Sequence, residues 1–314
     1  MRRSDAGGVL RSVTMEQTPP AGSSRLAVTG NVDAHHHVWD LAVRGQPWTE
    51  GLGPLERSFS LDDLQPHLAA AGIERTVVVQ TVCVAEETSE LLAMAEEAPE
   101  VAGVVGWVDL CSSQVADALD SLREGPGGGW LVAVRHQVQE EADPRWLCRP
   151  DVRRGLAAVG EAGLAYDLVV KHHQLPAVVE TVAALEEVRF VLDHAGKPPI
   201  ASGAILPWRD HIGALGRLPN VAVKLSGLVT EADHAHWRTD DLRPYVEAVL
   251  ASFGPGRTMW GSDWPVCLLA GGYEKWWAAA RGFTASLGAT EREAIFGKTA
   301  ARWYQLDRED LEHS

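Results

Sequence analysis

VDAHHHV, residues 32–38, is a short apolar run, β-branched at both ends, that closes on three consecutive histidines. Seven further runs follow, each set apart by a longer amphipathic stretch. They are RTVVVQ from Arg75, GVVGWVD from Gly103, LVAVRHQ from Leu131, AYDLVV from Ala165, RFVLDH from Arg189, VAVKLSG from Val221 and TMWGSDW from Thr258. Runs this continuous suit strands buried on both faces, so they predict a parallel sheet covered by helices. The segments between them carry helix signals. LDDLQPHLAAA follows Ser60 as N-cap and stops at Gly72, with Pro66 expected to kink or shorten it. EETSELLAMAEEA, PDVRRGLAAVGEAG and LPAVVETVAALEE follow the same logic; Pro150 suits a first turn and Gly163 a stop. Two more helical stretches surround Glu274–Ser286 and Glu291–Tyr304. Eight strand–helix units in about 275 residues predict an α/β fold of the (β/α)8 barrel type. An open doubly wound sheet is the alternative, but no glycine-rich phosphate loop follows Val38 or Gln80.

Composition removes several function classes. Asp plus Glu outnumber Lys plus Arg by 43 to 28, a net charge of −15, which argues against a nucleic-acid-binding face. No apolar run reaches the roughly 20 residues that span a bilayer, so no membrane partner is expected. Cys83, Cys111, Cys148 and Cys267 form no CxxC pair, which fits a reducing, cytoplasmic setting. Residues 1–30 are rich in Ser, Gly, Pro and Thr and are expected to be a disordered tail, with Met15 an alternative start. Residues 31–306 form the expected single domain, and residues 307–314 a C-terminal tail. The oligomeric state stays open, a homo-oligomer included.

In such a barrel, functional groups belong at the C-terminal ends of strands. In the first strand His35 and His37 share one face and His36 takes the other. His194, after Asp193, ends the sixth strand, and Asp263, after Ser262, ends the eighth. Convergence of His35, His37, His194 and Asp263 would bring together nitrogen and oxygen ligands for a divalent metal such as zinc, and groups for proton transfer. Asp193 by itself reads as a cap or a loop anchor. Gln80, Arg135, His136 and Lys171, at other strand ends, are expected to read substrate hydroxyls. A regular strand turns only one of Arg135 and His136 inward, and His136 is taken as that one; an ion pair outside the barrel is the other role open to Arg135. Lys224 has the same two readings, and Lys197 is expected to neutralise a loop. Among 12 tryptophans, Trp48 and Trp237 are expected to offer ring faces to a sugar, and Trp130, Trp276, Trp277 and Trp303 to pack.

The segments VDAHHHVWD, VLDHAGKPPI, VKLSGL, MWGSDWPV and IFGKTAARWY resemble the amidohydrolase superfamily. They are most similar to its amidohydrolase-related branch of sugar lactonases, the L-fuconolactonase and L-rhamnonolactonase-like enzymes. PDVRRGLAAVGEAGLAYDLVV resembles that branch too, and the resemblance runs from Asn31 to Leu306. It implies a distorted (β/α)8 barrel that hydrolyses a sugar lactone, a small-molecule substrate. His35 and His37 match the HxH of strand one, His194 the strand-six histidine and Asp263 the strand-eight aspartate. The implied chemistry has Asp263 activate water and protonate the leaving alkoxide, with His194 and a metal held by His35 and His37 polarising the carbonyl. Strand four ends in Arg135–His136 and strand five runs through Asp167 to Lys171–His172–His173, which departs from the ligands of lysine-bridged dinuclear relatives. One divalent ion, zinc foremost, or none is therefore the expected cofactor. Three other functions compete: a metal-dependent decarboxylase of an aromatic or dienoic acid, a non-catalytic barrel binding a sugar acid, and hydrolysis of another ester or amide.

Overall fold

All eight apolar runs form strands in the computed structural model, which describes residues 30–307. Apart from Gly30 and Asp307, the expected tails and the alternative start at Met15 lie outside the described residues. The strands are β1 (Asn31–His36), β2 (Ile73–Val79), β3 (Val101–Gly106) and β4 (Leu131–His136). They continue as β5 (Ala165–Leu168), β6 (Arg189–Leu192), β7 (Val221–Leu225) and β8 (Thr258–Trp260). They pair in parallel in strict sequence order, β1 to β8. Two backbone bonds join the last strand's extension to the first: His37 N–H donates to Trp264 O at 2.7 Å, and Asp263 N–H to His35 O at 2.8 Å. The expected (β/α)8 barrel is therefore the observed fold, and its closing seam runs through the residues singled out for chemistry.

Among the described residues, ten α-helices accompany the strands. The first five are α1 (Leu61–Ala71), α2 (Ala85–Glu97), α3 (Val115–Glu124), α4 (Pro150–Glu161) and α5 (Leu175–Ala184). The others are α6 (Trp208–Gly216), α7 (Thr239–Phe253), α8 (Tyr273–Phe283), α9 (Ala289–Glu293) and α10 (Thr299–Tyr304). Ser60 caps α1 through a reciprocal capping box with Asp63, and Gly72 ends it at φ 66°. Pro66 does not shorten α1. The carbonyl it cannot bond belongs to Asp62, which is exposed in the first turn. Among the described residues no helix is long and apolar enough to cross a membrane.

Two layers of apolar side chains sandwich the strands. The larger lies between barrel and helices, while a smaller cluster fills the inside with Ala34, Ala133, Ala165, Ala222, Val77, Val191 and Met259. These interior residues are small. The space is taken by Trp303, Tyr304 and Leu306 from the end of the chain, which pack among the strand-start residues Val32, Ala102 and Val132. Gly103 takes part, since a Cβ there would come within 3.1 Å of a Leu306 methyl. The C-terminal segment thus plugs the bottom of the barrel.

Strand β1 changes phase on the way up. Its register with β2 slips between Asp33 and His36. Val32 and Ala34 belong to the interior cluster, and after the slip His35 and His37 reach the axis. Such irregularities re-aim side chains at the price of a ladder bond. His36 is fully buried, and neither of its nitrogens has a hydrogen-bond partner among the described residues. Burial holds its imidazole down to about 3, with the neighbouring His37 adding to the effect.

That depression makes His36 an acid liability. The unfolded chain takes up a proton as pH falls below about 6.5, and the folded chain does not until about 3, so stability is lost on acidification. His36→Leu removes a penalty of roughly 2 kcal/mol at pH 5, from 1.5 pH units at 1.36 kcal/mol each. Melting curves at pH 7.5 and pH 5 are expected to show the variant losing several degrees less than the parent between the two. Equal losses would contradict the assignment.

Candidate active site

The seam between β1 and β8 gathers three of the expected residues. The Nε2 atoms of His35 and His37 lie 3.2 Å apart. Asp263 Oδ1 lies 3.8 Å from the first and 3.6 Å from the second. Asp33 holds the seam from the outer side. Its carboxylate accepts from Ser262 N–H at 2.8 Å, His35 N–H at 3.2 Å and Tyr273 O–H at 3.1 Å. Burial raises its pKa to about 6 against those bonds. His37 is oriented by Val79 O, 2.7 Å from its Nδ1.

His194 joins from the turn after β6, its Nδ1 4.0 Å from Asp263 Oδ2 and 2.9 Å from Ser226 Oγ. Its ring lies 4.6 Å from that of His35. The backbone here is contorted: His194, Ala195, Lys197 and Asp263 all have φ near +50°, a region costly for residues other than glycine. Burial lowers the His194 imidazole to about 4, against the pull of Asp263 and Asp193, so it is neutral at ordinary pH. Burial pushes the Asp263 carboxyl up, but His194 and His37 outweigh it and hold the group below its usual range. The pair is therefore a carboxylate beside a neutral imidazole.

Below this end lies a set of buried charges of which the sequence reading named only parts. Lys224, on β7, is fully buried, with its ammonium 2.6 Å from Asp167 Oδ2, 2.9 Å from Asp193 Oδ1 and 3.0 Å from His35 Nδ1. Arg135, on β4, donates to Asp193 Oδ2 at 3.0 Å and to Gln80 O at 2.6 Å, and its Nη1 stands 3.4 Å from His35 Nε2. Tyr304, from the C-terminal plug, donates to Asp167 at 2.8 Å. Two cations and two carboxylates balance. Burial raises the Asp193 carboxyl, but Lys224, His35 and Arg135 together bring it well below the ordinary range. Asp193 is thus a member of the axis network and not a simple cap. Three strands share the signal that could have revealed it: a charged residue follows an interior alanine by two positions in Ala133–Arg135, Ala165–Asp167 and Ala222–Lys224.

The placement of the remaining expected residues is mixed. Arg135, not His136, turns inward, which corrects the orientation expected for that pair. The interior phase set by Ala133 continues to Arg135, and His136 falls on the outer face. There Trp107 Nε1–H donates to its Nδ1 at 3.1 Å, Glu141 lies 2.8 Å from its Nε2, and Trp146 stacks on it at 4.4 Å. Gln80 is fully buried, donates to Arg135 O at 3.0 Å and leaves its Oε1 without a partner. Lys171 sits half-exposed, 3.7 Å from Glu140. Trp48 lies in the loop after β1, part-exposed and edge-on to Trp39. Trp237 is buried, donates to Ala270 O at 2.7 Å and has Lys275 over its ring at 3.9 Å, so packing claims both its edge and a face. Lys197 pairs with Glu231 at 3.8 Å.

The donor set suits one divalent ion. Two imidazole nitrogens 3.2 Å apart are spaced like neighbouring ligands of an ion with bonds of about 2.0–2.1 Å, and a carboxylate oxygen faces both. His35, His37 and Asp263 offer atoms within 4.8 Å of one another, as do His35, Asp193 and His194. The second group is filled by the protein's own cations, since Lys224 and Arg135 stand on Asp193. Gly227 forms the wall of the first: at φ 59°, a Cβ there would lie 2.5 Å from His194 Nδ1 and 3.0 Å from Asp263 Oδ2.

Comparison with known proteins gives consistent matches. A family model described as amidohydrolase matches residues 32–306. The L-fucono-1,5-lactonase of Burkholderia ambifaria is 39% identical over 286 residues, covering 90% of this chain and 97% of that protein. The L-fucono-1,5-lactonase of Burkholderia multivorans is 40% identical over 292 residues, covering 88% and 96%. A crystal structure of an amidohydrolase from Burkholderia multivorans with bound zinc superposes with a TM-score of 0.82 at 38% identity, covering 88% of this chain and 99% of that one.

The tight wall at Gly227 generates a direct test. Gly227→Ala places a methyl against His194 and Asp263 at a left-handed position. Shifts of about 1 Å in a catalytic group cost on the order of 100-fold. The variant is expected to stay folded by circular dichroism while kcat/KM falls roughly 10- to 100-fold. An alanine variant of full activity would show that His194 and Asp263 do not need their present spacing.

Proposed function

The chain belongs to the amidohydrolase family, in its sugar-lactonase branch, and on that footing we propose that it opens a sugar 1,5-lactone of the L-fucono type by attack of a water activated by Asp263. It is a hydrolase acting on a lactone, a carboxylic ester. The observation that carries the finer reading is the meeting of an ionised, buried Asp263 with His37 and His194 at one end of the barrel.

Lactone opening needs a base for water, a donor for the carbonyl oxygen and an acid for the departing ring oxygen. Asp263 is held ionised, so it can take the proton from water. The same carboxyl then returns that proton to the alkoxide, because the two steps are sequential. His194 is neutral, and with Nδ1 engaged by Ser226 its Nε2 is the nitrogen left to face the substrate carbonyl. Gln80 Oε1, buried and unpartnered, is a fitting acceptor for a sugar hydroxyl. His35, His37 and Asp263 would hold one divalent ion, zinc being the best match to the donor set. When bound, such an ion supplies Lewis-acid activation. A cytoplasmic setting accords with four cysteines that are all free.

The test is hydrolysis of L-fucono-1,5-lactone and a panel of other aldonolactones, followed with a pH indicator before and after chelation and re-addition of zinc or manganese. Acid release at a rate well above the uncatalysed one is expected on at least one 1,5-lactone. Asp263→Asn keeps the shape and removes the basic oxygen, and is expected to lower kcat about 100- to 10,000-fold with less change in KM. A folded Asp263→Asn enzyme that keeps most of its turnover would contradict the role given to this carboxylate.

A further inference from the structure

Lys224 faces His35 from inside the barrel, and its chemistry decides which nitrogen of that ring carries the proton. The ammonium has three N–H groups and no lone pair. It hydrogen-bonds Asp167 Oδ2 at 2.6 Å and His35 Nδ1 at 3.0 Å, while Asp193 Oδ1, at 2.9 Å, is an ion-pair neighbour outside hydrogen-bond geometry. Both neighbouring carboxylates can only accept, so the ammonium N–H groups face acceptors on that side. His35 Nδ1 must then accept, which leaves the ring proton on Nε2. Arg135 Nη1 favours the opposite tautomer from 3.4 Å, but that guanidinium already has nearer acceptors in Asp193 Oδ2 and Gln80 O.

His37 is fixed the other way round. A carbonyl only accepts, so the 2.7 Å contact with Val79 O places the proton of His37 on Nδ1 and leaves a lone pair on Nε2. The two Nε2 atoms, 3.2 Å apart, are thus donor and acceptor of one hydrogen bond, from His35 to His37. That bond satisfies both rings without a cation. It also puts a hydrogen where two lone pairs would have to converge on one.

We propose that Lys224 is a positioning residue that holds His35 in its Nε2–H tautomer and thereby weakens the site's hold on a divalent ion, an inference resting on His35 and His37 being the ligands. For His35 to ligate through Nε2, its proton must leave that nitrogen and one must be gained at Nδ1, by exchange with water and with no net proton change. Asp193 Oδ1, 3.4 Å from Nδ1, is the acceptor waiting there. Lys224 then loses one of its two hydrogen-bond acceptors in a fully buried place. A buried donor left without a partner weakens ion binding by roughly tenfold to a hundredfold. The site is built to take its ion reversibly, because the His35–His37 hydrogen bond satisfies both rings without it.

The experiment is two-bond proton–nitrogen NMR of full-length protein labelled with 15N-histidine, which distinguishes the two neutral tautomers, recorded after chelation and during titration with zinc chloride. His35→Gln and His37→Gln assign the signals. Before zinc, His35 is expected as the Nε2–H form and His37 as the Nδ1–H form; zinc is expected to turn His35 to the Nδ1–H form and leave His37 as it was. Competition with a chromophoric chelator is expected to give Lys224→Met a zinc dissociation constant at least tenfold lower than the parent's, with His35 already in the Nδ1–H form before zinc. Should that variant fail to fold, the spectra of the parent protein decide alone. A metal-free His35 protonated at Nδ1 would overturn the proposal by itself, as would tighter zinc binding in Lys224→Met with no change of tautomer. Zinc that binds without touching the signals of either ring would overturn the ligand assignment and the proposal together. None of these readouts needs a substrate, so a protein inert on every lactone would still decide the question.

Discussion

Four buried charges in the barrel axis have to cancel, and much of the top of the molecule is arranged around that cancellation. Lys224 and Arg135 supply two positive charges, and Asp167 and Asp193 two negative ones, all within direct contact and cut off from water. Removing one partner of such a set typically costs about 3–5 kcal/mol, because the remaining charge is stranded. Neighbouring strands supply them: Arg135 pairs with Asp167 across β4 and β5, while Asp193 follows the end of β6 and Lys224 lies on β7, the next strand. His35 is the ring this level supports: one face of its chemistry is set by Lys224 and Asp193, and the other is turned to His37 and Asp263.

The two ends of the chain complete the arrangement. The C-terminal segment fills the lower barrel with Trp303, Tyr304 and Leu306, and Tyr304 reaches up to Asp167, so the plug and the charge level are one structure. The seam between β1 and the extension of β8 closes the upper rim, where Asp33 ties His35, Ser262 and Tyr273 together. The register slip in β1 lets two interior apolar residues be followed by two axis-facing histidines. Strain appears in the same place. Left-handed backbone at His194 and Asp263, and a glycine wall that admits no methyl, mark where the fold gives up local comfort to bring a carboxylate beside a neutral imidazole.

Much of this could be read in the sequence, for physical reasons that differ by element. The strands were legible because burial on both faces leaves an unbroken apolar run, and α1 because Ser60 and Gly72 punctuate it chemically. His35, His37, His194 and Asp263 were legible because strand ends are where such a barrel does chemistry. The inward turn of Arg135 was misjudged because a strand's phase is fixed by what packs inside, here small alanines that are easily passed over. Trp237 looked like a sugar platform, yet its partners come from the loop after β8 and from α8, more than thirty residues along the chain, and no local pattern announces them. Asp167, Asp193, Lys224 and Tyr304 form a network only when three strands and the last helix meet, and only the parity of charge after alanine hints at it.

On the proposed reading, the described residues fill the lower level of the axis with the protein's own cations and leave one place for an external one, at the β1–β8 seam. Anomalous diffraction at the zinc edge from crystals grown metal-free and soaked in a zinc salt tests it most directly. One strong buried peak is expected, within bonding distance of the Nε2 atoms of His35 and His37 and of Asp263. A peak lodged between Asp167 and Asp193, or a second buried peak shared by Asp193 and His194, would contradict it.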